Sequence, residues 1–149
     1  FSGPFFSAKG DILMTIAELQ IGMVLNNQEL VETFQCSPQG GMRRSKRTGT
    51  LVLTTDCTKL YHDRWKGDVL HYTGMGQTGD QSFSYMQNRT LFESDKNGVT
   101  IHLFEVRQPR QYTYCGIFAL CDEPYTAEQP DQYGNLRKVC IFPIRKVKH

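Results

Sequence analysis

The spacing of apolar residues changes repeatedly along the chain, and each change predicts an element. Residues 13–24 are a mixed apolar stretch without a clear period. Asn26-Asn27-Gln28-Glu29 has the form of a helix start, with an Asn cap and an acid in the first turn. Leu30, Val31 and Phe34 follow at helical spacing, which predicts a short amphipathic helix over 27–35. The run Ser37-Pro38-Gln39-Gly40-Gly41 ends it, since such a sequence cannot continue regular structure. Residues 48–55 are β-branched and apolar and predict a strand; residues 68–73 predict a second, ending at a glycine loop. Residues 82–94 place Phe83, Met86 and Thr90 on one helical face beside Leu91, and close near Asn97-Gly98. Residues 99–106 alternate as a strand, Gln108-Pro109-Arg110 is a turn, and 112–121 and 139–147 are long β-like runs, the last interrupted by Pro143. Residues 123–135, polar and holding Pro124 and Pro130, predict a surface loop. The sum is an α+β fold: a curved antiparallel sheet or partly open β-barrel with two or three short helices.

Composition bounds this picture. A chain of 149 residues with 39% hydrophobic and 21% charged residues is one globular domain's worth of sequence. Residues 14–149 are expected to form that single domain. Residues 1–13 read as a linker or as residues left from a cut, with Met14 a candidate start. No signal peptide or membrane span is expected, and the cytoplasm is the expected compartment. The five cysteines, at 36, 57, 115, 121 and 140, are odd in number and hold no C-x-x-C pair, so they are expected as reduced thiols. Histidines 62, 71, 102 and 149 share no metal-ligand spacing with them, so no metal is expected.

The net charge of +2 says little, but its placement says more. Arg43, Arg44, Lys46, Arg47, Lys59, Arg64 and Lys66 lie close together in sequence, and Arg137, Lys138, Arg145, Lys146 and Lys148 form a second basic stretch. Acids gather elsewhere, notably at Asp122, Glu123, Glu128 and Asp131. This asymmetry predicts one positive face of the kind that binds a phosphate backbone.

Gly74-Met75-Gly76-Gln77-Thr78-Gly79 matches the dinucleotide pattern G-x-G-x-x-G, and Glu105 lies near where a ribose-binding acid is sought. The match is rejected. Asp80 follows the third glycine where an anion should sit, and the chain lacks the alternating helices of a doubly wound sheet. Asp80 is instead expected to cap the next helix. His62-Asp63 and the strand histidines 71 and 102 are not joined by any recognisable nucleophile arrangement. The chain is therefore expected to be non-catalytic and to need no cofactor.

The stretch His71-Tyr72-Thr73-Gly74-Met75-Gly76-Gln77-Thr78-Gly79-Asp80-Gln81, then Asn88 and Leu91, then 98–104, resembles the tyrosine–glycine loop, helix and strand of SRA-type domains. Those read modified DNA on a curved PUA-like sheet. Ser37-Pro38-Gln39-Gly40-Gly41-Met42-Arg43-Arg44 resembles the pocket segment of the sulfur-binding domains of modification-dependent HNH endonucleases, which recognise phosphorothioate DNA. Pro38 matches that segment's proline and Gly41 its small residue, whereas Ser37 stands where that family has an aromatic.

What the resemblance implies agrees with the residues. Pro38, Gly40, Gly41 and Met42 can form an apolar dimple that offers dispersion and no donor, which suits sulfur over oxygen; the resemblance places Ser37 in the same pocket segment. Gln39, Arg43, Arg44, Ser45, Lys46 and Arg47, with Tyr72, Thr73, Gly74, Gly76 and Gln77 of the second loop, are the expected DNA contacts. The leading expectation is a reader of modified double-stranded DNA, favoured mark a backbone phosphorothioate, serving as the specificity module of a restriction system beside a nuclease domain or subunit. Two alternatives stand: a reader of 5-methyl- or 5-hydroxymethylcytosine by base flipping, and a PUA-type RNA-binding module. Trp65 is either a nucleic-acid stacking residue or core.

Overall fold

The computed structural model describes residues 14–59 and 63–147. Residues 1–13 and His62, weighed above as a linker and as a partner of Asp63, lie outside them. After a 3-10 turn at Ile16–Glu18, the elements are β1 (Val24–Leu25), α1 (Asn27–Phe34), β2 (Met42–Ser45), β3 (Thr50–Asp56), β4 (Arg64–Lys66) and β5 (Val69–Thr73). Then come α2 (Met86–Phe92), β6 (Thr100–Gln108), β7 (Gln111–Leu120), β8 (Tyr125–Pro130) and β9 (Leu136–Lys146). No helix among the described residues is long and apolar enough to cross a membrane.

The strands form one open sheet in the order β2-β3-β6-β7-β9-β5-β4, with β1 added to β7 and β8 to β9. The expected α+β class and curved sheet are found. One pairing departs from the antiparallel expectation: β3 and β6 run parallel, Thr50 opposite Thr100 through Asp56 opposite Val106. A parallel pair needs a crossover, and the chain from β4 to α2 supplies it. Parallel strands are buried on both faces. Leu51, Leu53, Ile101 and Leu103 face one core cluster with Leu70, Phe142, Ile144 and Leu91 of α2. Val52 and Phe104 face a second, with Leu30 and Phe34 of α1. That double burial is why residues 48–55 carry an unbroken apolar run.

Helix α1 begins as its sequence predicts. The Asn26 side chain accepts from Glu29 N at 2.8 Å, and Asn26 N donates to Glu29 Oε1 at 2.9 Å. It ends at Gln35, which takes a left-handed conformation with φ 53°.

Three expectations are corrected. Within the polar stretch 123–135, Tyr125–Pro130 is a strand paired along β9 from Ile141 to Leu136. Its polarity reflects an exposed edge, and Pro130 sits at its end, where a missing donor costs least. Met42–Ser45, expected to supply pocket and DNA-contact residues on an open segment, is a strand against β3 with both faces covered, so the neighbours Met42 and Arg43 are both buried. Asp80 does not cap α2: its Oδ1 accepts from Lys138 N at 2.8 Å, and α2 starts after Tyr85 without a side-chain cap.

His102 lies between these layers, with Nδ1 2.9 Å from the Tyr114 hydroxyl and its ring against Phe34 at 4.9 Å. Burial pushes its pKa down from 6.5 to about 4. The unfolded chain takes up this proton below its pKa of about 6.5, the folded chain only below about 4, so stability is complete above the first value and falls between the two. The loss is roughly 3 kcal/mol. In urea titrations between pH 7 and 4.5, His102→Gln is expected to lose less stability than the parent; parallel losses would remove His102 as the source.

Candidate functional site

Tyr72 ends the core side of β5, and its position is set by where its hydroxyl can find acceptors. The oxygen lies 3.0 Å from Gly41 O and 3.1 Å from Thr54 O, so one proton is shared between carbonyls at the far side of the curved sheet. Burial, reinforced by the neighbouring Asp63 carboxylate, holds the phenol well above its usual pKa, so it remains a donor. The bond draws β5 toward the β2–β3 pair across the open side of the sheet. Between them lies a cleft of about 910 Å³.

One wall is the turn leading into β2. Arg43, only 4% exposed, is fixed there: Nε donates to Gly40 O at 2.8 Å, Nη1 donates to Asn27 Oδ1 at 2.7 Å, and the guanidinium lies 5.6 Å from the centre of the Tyr112 ring. Asn27 of α1 also donates to Pro38 O at 3.0 Å, so helix, turn and strand are tied through one amide.

The opposite wall is the glycine loop. Asn88, fully buried on α2, accepts from Met75 N at 2.7 Å and donates to Met75 O and Ser82 O, both at 3.0 Å. Gln81 donates to Gly74 O at 2.9 Å and Gly76 O at 3.1 Å, and accepts from Cys140 N at 2.9 Å. The loop thus runs on beside β9 as a continuation of the sheet edge, made partly by side-chain amides. A Cβ at Gly74 would stand 2.6 Å from Asn88 Oδ1 and 3.1 Å from Phe142 Cε2, so only glycine fits.

The floor and rim hold further groups, of which only Lys59 and Arg137 had been expected to meet a phosphate backbone, as members of the basic stretches. Asp63 Oδ1 accepts from Thr73 N at 2.7 Å. Asp56, Lys59, Arg110, Tyr112, Gln129, Asp131 and Arg137 also line the cleft. A signal for Asp63 was present: Gly67-Asp68 joins Lys66 to Val69 as a two-residue hairpin turn. The register Arg64 opposite His71 then sets Asp63 one step further on, beside Tyr72 and Thr73.

Of the residues selected from sequence, Gly40, Gly41, Met42, Arg43, Tyr72, Thr73, Gly74, Gly76 and Gln77 come together in this cleft. Ser37, Pro38 and Gln39 are exposed on the turn above it, where Ser37 Oγ accepts from Gln39 N at 3.2 Å. Arg44 donates to Ser45 O at 2.8 Å and Thr50 O at 3.2 Å, Ser45 is buried, and Lys46 and Arg47 are exposed away from the lining. The two basic stretches are divided between sites, with Arg43 and Lys59 of the first lining the cleft. Arg137 joins the cleft, whereas Arg145 pairs with Asp68 at 3.5 Å and Lys146 borders a separate cavity with Trp65. Trp65 itself is half-exposed there, its indole N–H 3.3 Å from Glu105 Oε2.

Chemically the cleft combines apolar and aromatic surface from Met42, Met75, Tyr72 and Tyr112 with carboxylates that only accept and amides that do both. Replacing Gly74 with Ala is expected to cost about 1–3 kcal/mol in urea unfolding by overpacking against Asn88. Loss of the parent's near-ultraviolet tyrosine signal should accompany it; an unchanged midpoint would show that the loop is not clamped this way.

The family model for the ScoMcrA-like SRA domain matches residues 21–149. No curated protein matches the chain. In fold it is similar to the sulfur binding domain and SRA domain of ScoMcrA complexed with phosphorothioated DNA (TM-score 0.73, 15% identity, covering 88% of this chain and 40% of that one). It is also similar to the SUVH5 SRA domain in complex with methylated CHH DNA (TM-score 0.67, 22% identity, covering 93% and 96%). A third is the modification-dependent TagI restriction endonuclease (TM-score 0.63, 18% identity, covering 87% and 50%). The chain spans 28% of the type IV restriction endonuclease ScoMcrA, whose structure it also matches.

Proposed function

The chain belongs to the ScoMcrA-like SRA domain family, and on that premise we propose that it reads modified duplex DNA by taking a modified cytosine out of the stack and into the cleft between the Gly40–Arg43 turn and the glycine loop. The observation that carries this is the cleft itself, with Tyr72 and Asp63 inside it. A flipped base needs a recess large enough for its ring, with aromatic surface and groups matching its Watson–Crick edge, and a cleft of about 910 Å³ has that room. The exocyclic amino group of cytosine is a donor, and a carboxylate is its complement. Asp63 is held in one orientation by Thr73 N, which is what recognition of a single edge requires. Met42 and Met75 supply apolar surface for a substituent at carbon 5.

The phosphorothioate reading is kept as the second. It is supported by the exposed Pro38-Gln39-Gly40-Gly41 turn, which presents backbone without Cβ atoms beside the cleft. Against it, Arg43 of that segment is buried and bonded to Gly40 O and Asn27 Oδ1 rather than free to meet a backbone. In ScoMcrA the sulfur binding domain and the SRA domain are separate domains, and this chain matches the SRA family model. Cleavage, in this reading, belongs to another domain or subunit, as the endonuclease relatives would have it.

The test is a competition gel shift at ~0.15 M salt, where electrostatic binding does not mask preference. One duplex sequence is offered unmodified, 5-methylated, 5-hydroxymethylated and phosphorothioated, with matching RNA. Preference for a cytosine mark, lost by ~10–100-fold in Asp63→Ala, is expected. Preference for the sulfur duplex, untouched by that substitution, would move the site to the Pro38–Gly41 turn. Preference for RNA would replace the reading altogether.

A further inference from the structure

We propose that Arg137 is a phosphate-binding residue of the cleft, gripping a phosphodiester beside the inserted nucleotide through the Nε–Nη2 edge of its guanidinium. This rests on the base-insertion reading above and deepens it. Arg137 lies on β9 opposite Gln129 of β8 and lines the cleft. Its Nη1 donates to Gly76 O and, at 3.3 Å, to Gly79 O. Its Nε is the one buried side-chain nitrogen or oxygen without a hydrogen-bond partner among the described residues. Native structures rarely leave such an atom unpaired, least of all on a charged group, and each case calls for an explanation.

A guanidinium is a planar fork. With Nη1 given to the loop carbonyls, Nε and Nη2 remain as the edge that takes two oxygens of one phosphate in parallel. Gly79 and Gln132 beside it are exposed, so the group sits near the rim, where the backbone of a nucleotide stays when its base is inside. Reaching Nε takes a small opening of the wall, and Gly76 and Gly79, at φ 130° and 70°, are where the loop can give. Asp131 is near enough for the Arg137 charge to help lower its carboxyl, after the Asn135 and Tyr133 N–H groups. Those two amides bond Asp131 Oδ1, so this carboxylate already has partners in its own turn. One guanidinium then links occupancy of the cleft to the conformation of the loop that walls it.

The experiment compares the parent with Arg137→Gln and Arg137→Lys on three methylated duplexes, with the unmethylated duplex as reference. Each protein is titrated with a duplex carrying 5-methylcytosine, and with the same duplex bearing a neutral methylphosphonate on the 5′ or the 3′ side of that base. The parent is expected to lose ~10-fold in affinity on one of the two methylphosphonates. Arg137→Gln should lose a similar factor on the natural duplex and nothing further on that methylphosphonate. Arg137→Lys, which keeps the charge and loses the fork, should fall between. A variant that weakens all three duplexes by the same factor while the parent keeps its methyl preference would make Arg137 a loop brace only and overturn the proposal. A parent without methyl preference would overturn the base-insertion reading, and this proposal with it.

Discussion

A single phenolic hydroxyl shared between two carbonyls holds the site open and in register. Tyr72 reaches from β5 to Gly41 O and Thr54 O, the near ends of β2 and β3. Those strands stand at the opposite end of the sheet order from β5, so no ladder of backbone hydrogen bonds could set their separation. The curved sheet therefore stays unclosed at this point, and the gap becomes a cleft instead of a barrel seam. Its two walls are held for different reasons. The Gly40–Arg43 turn is fixed by charge-assisted bonds from a buried guanidinium, and the glycine loop by the buried amide of Asn88 and the half-buried amide of Gln81.

That second wall explains why a nucleotide-binding pattern appears without a nucleotide-binding fold. Glycine is required at position 74 because Asn88 and Phe142 leave no space for a Cβ. At position 76 it is required because the chain turns there with φ 130° and presses on Gln81. Neither requirement concerns a pyrophosphate. The loop's carbonyls, at Gly74, Gly76 and Gly79, point to Gln81 and Arg137, so it is organised by donors from the protein. What remains facing the cleft is aromatic, amide and carboxylate chemistry suited to the edge of a base.

Much of this was legible in the sequence, and the failures share a cause. Helix α1 was read correctly because its cap, first-turn acid and apolar spacing all agree. The strands around Leu51 and Phe142 were legible because both faces are buried and their apolar runs are long. Strand β8 was missed because an exposed edge strand carries the polarity of a loop, and β4 because three exposed residues, Arg64–Lys66, show no period at all. Arg43 was expected at the surface since arginine usually is; a strand covered on both faces and the acceptors of Gly40 and Asn27 buried it instead. Asp63 was seen only beside His62 along the chain. Its real neighbour, Thr73, comes from hairpin register, which charge and composition do not reveal.

The central claim is that the marked base leaves the helix, and fluorescence of 2-aminopurine placed next to a 5-methylcytosine in duplex DNA tests it most directly. Removing the methylated base unstacks its neighbour, so saturating protein should raise the emission several-fold over the free duplex, and an unmethylated duplex should respond less at equal occupancy. Tight, methyl-selective binding with no rise in emission would mean that the mark is read with the helix intact, and the cleft would no longer account for it.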